Sequence, residues 1–139
     1  MRARDVSAVI CLVALAGCRG EGPEARLRKA FADGVHALEA GDAAGAAALL
    51  SPEFQGPEGM DRSGARFFLQ AVFRKEKVGV TVVFQKTEIQ GTRAVQSVDL
   101  ILTGRTGGSL VPAEEARHSL VIRWELRDRA WLIRELQEN

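Results

Sequence analysis

The hydrophobic period of this chain changes once, near Lys77, and that change limits what it can fold into. From Leu27 to Phe73 apolar residues return at intervals of three or four, and from Val78 onward they return at every second position. The first spacing lines one side of a helix; the second lines one face of a strand. Helices gathered in one half and strands in the other predict an α+β domain with its helices on one side of a sheet.

In the helical half, Pro23-Glu24 opens the first helix, because proline suits the first turn and an acid suits the positive end of the dipole. Leu27, Phe31, Val35 and Leu38 make its apolar face, and Gly41 stops it. Asp42 is placed to cap a second helix over Ala43–Leu50, nearly all alanine and leucine, ended by Ser51-Pro52. Phe54 is expected to fold back onto the core, and Gln55–Met60, with two glycines and a proline, reads as a loop. Asp61 caps a third helix over residues 62–75, where Arg62, Arg66, Gln70 and Arg74 step by four as a solvated stripe. Phe67, Phe68, Leu69, Ala71, Val72 and Phe73 fill the remainder, so broad an apolar sector that a well-buried helix is expected. Arg74-Lys75-Glu76-Lys77 then reads as cations at a helix C-terminus.

In the strand half, Val78, Val80, Val82 and Phe84 are expected to share one face, and Gly91-Thr92 turns the chain. Ala94, Gln96, Val98, Leu100 and Leu102 line one side of the next strand, and His118, Leu120, Ile122, Trp124 and Leu126 line one side of another. Gly104–Ala116 is a long hairpin loop, and Asp128-Arg129 is a tight turn into a last strand from Ala130 to about Leu136. The predicted architecture is three N-terminal helices packed on one face of a curved antiparallel sheet. The other face mixes Val83, Val95, Ile101 and Val121 with charges, as a solvated surface or a homodimer interface would.

Residues 1–17 have the parts of an export signal: Arg2 and Arg4 partly offset by Asp5, an apolar run over Val6–Leu15, and the small Ala16 and Gly17. The run is too short for a membrane helix, which needs about 20 residues. Leu15-Ala16-Gly17-Cys18 resembles the lipobox of bacterial lipoproteins, where processing cuts before the cysteine and lipid is attached to its sulfur. The resemblance implies a signal peptide over 1–17, lipidated Cys18 with a spacer over 18–23, and a domain over 24–139 held at a membrane on the exported side. Arg19 stands where an aspartate would imply inner-membrane retention, which points to the outer membrane facing the periplasm. Cys11 leaves with the signal and Cys18 is consumed, so no thiol remains for a disulfide, nucleophile or thiolate metal site.

The remaining 122 residues carry 17 basic and 17 acidic side chains, a neutral body without the basic footprint that nucleic acid requires. Gly104-Arg105-Thr106-Gly107-Gly108 lacks the ending of a phosphate loop, and no Gly-x-Ser-x-Gly elbow occurs. The two histidines, His36 and His118, stand 82 residues apart without ligand spacing, so neither metal nor cofactor is expected.

Gly41-Asp42, opening an alanine-rich segment that ends Leu49-Leu50-Ser51-Pro52-Glu53-Phe54, is similar to the entry of nuclear-transport-factor-two-like proteins, also called SnoaL-like. The closing Trp124-Glu125-Leu126-Arg127-Asp128-Arg129-Ala130-Trp131-Leu132-Ile133 resembles that family's final hairpin. Together the resemblance spans about residues 24–137 and implies a cone-shaped α+β fold enclosing a pocket. Some members use that pocket for isomerisation, dehydration or hydrolysis and others only for binding. Ketosteroid-isomerase-like members rely on a tyrosine with acidic residues, and this chain contains no tyrosine.

Four residues are candidates for a ligand pocket. His118, at a strand end beside the long loop, carries the side chain best suited to exchange protons near neutral pH, although a partly exposed strand-end histidine with a local hydrogen bond is the simpler reading. Gln96 interrupts an apolar row, so its amide either orients a ligand or bonds within the protein. Trp124 and Phe68 would line the cavity, or simply fill the core. Asp42 and Asp61 are explained as helix caps, and Asp99 and Glu125 as cross-strand partners of arginines. The expected function is a lipid-anchored cell-envelope binding or accessory module for a small apolar ligand or a protein partner. The alternative is a small isomerase- or hydratase-like enzyme using His118.

Overall fold

The computed structural model describes residues 22–106, 109–110 and 117–139, with backbone alone at 105–106 and 109–110. The lipobox-like residues 15–18, Cys11 and most of the expected 104–116 loop lie outside the described residues. The elements are α1 (Pro23–Ala40), α2 (Ala43–Ala47), β1 (Leu50–Gln55), a 3-10 turn (Pro57–Gly59), α3 (Arg62–Lys75), β2 (Lys77–Gln90), β3 (Arg93–Thr106), β4 (Ser109–Leu110), β5 (Arg117–Arg127) and β6 (Ala130–Glu138). Three helices and a curved mixed sheet make an α+β domain of cone-like form.

Local chemistry sets the helix ends. Gly41, at φ 69°, takes the left-handed conformation that closes α1, a conformation glycine enters without a Cβ clash. The Gly45 N–H donates to Asp42 Oδ1 at 2.9 Å and the Gly64 N–H to Asp61 Oδ1 at 2.7 Å, so both aspartates are caps. The face of α1 is as expected: Leu27 is buried, and Phe31, Val35 and Leu38 are half-buried or better in the row that meets the sheet, with Leu27 deepest.

The sheet runs β1-β6-β5-β3-β2, with β4 pairing only the end of β3. All pairings are antiparallel except β1 with β6, so the sheet is mixed rather than wholly antiparallel. The second helix stops at Ala47 instead of running to Leu50, and Leu50–Gln55 is an edge strand where a helix end and a loop were expected. Pro52 fits there because an edge strand leaves one row of N–H positions without a ladder partner. β3 also continues to Thr106 and pairs β4, where a loop was expected from Gly104.

Two bulges rephase the strands. Val82 faces Leu100 across the ladder while Phe84 faces Asp99, which leaves Val83 as the extra residue. Phe84 is thereby removed from the Val80–Val82 face and lies on the opposite one, while Gln85 moves to the inner side opposite Val98. A second irregularity, between the Arg123–Glu135 and Trp124–Ile133 pairs, places the extra residue at Arg134.

The core lies on the inner face, where Leu27 from α1 meets Ala94, Val98, Leu100, Ile122, Trp124 and Trp131. A smaller cluster of Leu50, Phe54 and Ala65 joins α3 to β1, so Phe54 does reach the interior, from a strand. α1 touches β2 and β6, whereas α3 seats on α2 and β1 at the sheet's edge. That position corrects the expected burial of α3: Ala65 is its one buried residue, and Phe67 and Phe68 are 74% and 54% exposed.

Candidate functional site

At the centre of the inner face lies one buried amide, and its bonds are internal. Gln96 and Trp124 sit on neighbouring strands, two residues apart in register, and are 2% and 1% exposed. The Trp124 indole N–H donates to Gln96 Oε1 at 2.9 Å, and Gln96 Nε2 donates to Gln85 Oε1 at 3.1 Å. Both ends of the Gln96 amide therefore have protein partners, as a buried amide requires. Phe68 is elsewhere, half-exposed on α3.

His118 lies at the far end of the same face, opposite Leu100, with its side chain about one-third exposed. Its Nδ1 is 2.6 Å from Glu138 Oε1. Glu138 lies opposite Leu120 because β6 runs two residues past the expected end at Leu136. A carboxylate holding one imidazole nitrogen leaves the other, Nε2, as the group able to take or give a proton. Of the four expected pocket residues, Gln96 and Trp124 bond to each other, and neither shares a described cleft with His118 or Phe68.

The outer face is more developed than the alternation alone implied. Val83, Phe84 and Val95 are 51%, 52% and 38% exposed there. Phe84 stands opposite Asp99 and Val95 opposite Glu88, with Lys86 and Ser97 between, and ion pairs lie on the neighbouring strands: Arg117–Asp99 at 3.9 Å, Arg123–Glu135 at 3.6 Å, and Arg127 Nη2 at 2.9 Å from Glu53 Oε2. Glu125 is nearly buried between Arg127, at 3.3 Å, and Arg93, at 4.0 Å. Its Oε1 is within ion-pair range of Arg127 but has no aligned hydrogen bond. The hydrogen bond from Arg127, and then its charge, hold Glu53 below the ordinary carboxylate pKa, against an opposing desolvation. A cleft of about 410 Å³ on this face is lined by Glu53, Gln55, Arg93, Arg123, Arg134 and Glu135 among others. A second, of about 350 Å³, lies where the ends of α1 and α3 meet the start of β2. Among the described residues no cluster of His, Cys, Asp or Glu suits a metal ion, and no helix is long and apolar enough to cross a membrane.

Gln85, Glu138 and Phe84 were not legible as site residues. The first and last depend on the Val83 bulge, and Glu138 on the true length of β6; alternation by itself signals neither.

No family model and no curated protein matches the chain. Solved structures do. Aln2 from a Streptomyces species is 13% identical, with 87% of this chain and 94% of that one covered and a TM-score of 0.70. A protein of unknown function with a cystatin-like fold from Nostoc punctiforme is 12% identical over 83% and 88%, with a TM-score of 0.66. A chain named Rd1NTF2_05 is 15% identical over 81% and 96%, with a TM-score of 0.59. At these identities the likeness is one of fold: the chain has the cone-like α+β fold that nuclear-transport-factor-two-like and cystatin-like proteins share.

Proposed function

We propose that the protein is a lipid-tethered cell-envelope module that acts by binding, through the outer face of its sheet, and not by catalysis. The observation that carries this is the exposed Val83–Phe84 pair at the bulge of β2, on a face it shares with Val95 and with the charged pairs of β3, β5 and β6, since exposed apolar side chains flanked by polar ones are found at protein interfaces. The face offers both signs of charge, Arg93, Arg117 and Arg123 with Asp99 and Glu135, so it complements itself under a twofold axis and suits a second copy of this chain. The interior supports the same reading, because the amide that would orient a small ligand already bonds to Trp124 and Gln85. Attachment through Cys18 rests on the resemblance of residues 15–18 to a lipobox.

Native mass spectrometry of the detergent-solubilised chain tests the binding mode. A dimer that Phe84→Glu converts to monomer is expected. A wild-type monomer carrying an apolar molecule would return the function to the interior of the cone. Cell fractionation of Cys18→Ser tests the tether, which falls if the variant stays firmly membrane-bound.

The His118–Glu138 contact supports a second reading, an isomerase- or hydratase-like enzyme in which Glu138 orients the imidazole. A turnover lost in a folded His118→Ala variant, and kept in Gln96→Leu, would establish it over the first.

A further inference from the structure

We infer that α3 is a lipid-facing element: it lies along an anionic bilayer surface with Phe67 seated in the headgroup boundary, Phe68 beside it, and arginines against lipid phosphates. This rests on the membrane placement proposed above and adds to it which side of the domain meets the lipid.

The argument starts from where α3 turns its side chains. Ala65, Leu69, Val72 and Phe73 face the protein. Phe67, Ala71 and Arg74, at intervals of four and three, form an exposed line on the opposite side, and Phe68 and Lys75 flank it. Isolated exposed apolar residues are ordinary on protein surfaces, but two adjacent aromatic rings on one exposed helix are a patch. The sheet's own exposed group lies away from them, on the outer face.

Charge decides what covers this patch. Over its 14 residues α3 carries Arg62, Arg66, Arg74 and Lys75 and no acid. The nearby acids are Asp61 and Glu76 at its caps, the Asp61 carboxylate accepting from the Gly64 N–H, and Glu39, which shares a cleft with Arg74 and Lys75 at the C-terminal end. Neither Arg66 nor Arg74 has an ion-pair partner among the described residues. The outer sheet face, by contrast, balances its signs, as a self-complementary protein interface does. A one-signed helix with an aromatic edge matches an anionic lipid surface, where apolar burial and attraction to headgroups add. A chain acylated at Cys18 would hold α1, which begins at Pro23, within about 3.5 Å per residue of that surface, so no separate encounter is needed.

The test uses the full chain carrying Phe67→Trp, in vesicles of phosphatidylcholine alone or mixed with phosphatidylglycerol, with brominated acyl chains. The native Trp124 and Trp131 are 1% and 3% exposed, so they supply a constant background. In anionic vesicles the indole introduced at position 67 should lose on the order of half its emission, as a ring seated about 5–10 Å into the boundary would. Phosphatidylcholine alone should quench less, and Arg66→Glu with Arg74→Glu should erase the difference. Equal quenching in both lipids overturns the charge-matched contact, and no quenching in chain that floats with the vesicles overturns the docking. Shielding from aqueous iodide without quenching by bromine would mean that protein covers the helix, and also overturns it. The intact mass of the same sample reads acylation of Cys18 separately, so the tether can fail while the docking stands.

Discussion

Gln96 is held at both ends of its amide in a site water does not reach, and removing it strands the Trp124 indole N–H. Gln96→Leu should therefore lower stability by about 1–3 kcal/mol, read by urea unfolding. Trp124→Phe in the same chain should restore part of the loss in the non-additive term, because the donor left without a partner is gone. Glu53 responds differently, being exposed and tied to Arg127. Its folded pKa is lowered, so its contribution is present above the unfolded value and fades as pH falls through the folded one. Arg127→Gln should move the Glu53 titration, followed by carbon NMR of the carboxyl, upward toward an ordinary carboxylate. At this scale the sequence made Gln96 conspicuous as an amide in an apolar row, but not its partner. Strict alternation puts Gln85 on the outer face, and only the extra residue at Val83 turns it to the inner one, opposite Val98, where it stays exposed to solvent at the sheet edge.

Among elements, α1 and β3 were legible because each repeats its apolar spacing over many residues, α1 up to Gly41 and β3 from the Gly91-Thr92 turn onward. β1 was not, and the reason is its composition: Leu50–Gln55 has no alternation long enough to read, follows a helix-forming run and contains proline. What makes it a strand is tertiary, the parallel ladder to β6 and the seat that Phe54 finds beside Leu50 and Ala65. Phe54→Ala should accordingly cost about 3–5 kcal/mol and loosen α3 from the sheet, seen as faster amide exchange in α3 than in β3. Equal acceleration in both would mean that the edge cluster and the main core open together. The misjudged burial of α3 has a related cause. Six apolar residues in a row of seven describe a helix that could be buried, but the place it docks, a sheet edge with α2, admits only one side of it.

The whole molecule closes through its ends. β1, early in the chain, has β6, the last strand, as its only ladder partner among the described residues, and the Trp131 indole N–H donates to the Pro23 carbonyl at 2.9 Å across 108 positions. That bond fixes the start of α1 against the last strand, so the point where a tether would enter is set by the C-terminal hairpin and not by α1 alone. Such long-range closure slows folding, because loop entropy is lost before the contact is gained. Trp131→Phe keeps most of the ring's burial and removes the donor, leaving the Pro23 carbonyl to water at the exposed helix start. The expected loss is about 1 kcal/mol in global stability. The larger effect should be local: faster proteolysis near residues 22–26 with β5 and β6 still protected. If the first turn of α1 stays as resistant as in the wild type, the bond is incidental, and the start of α1 is held by Leu27 in the core.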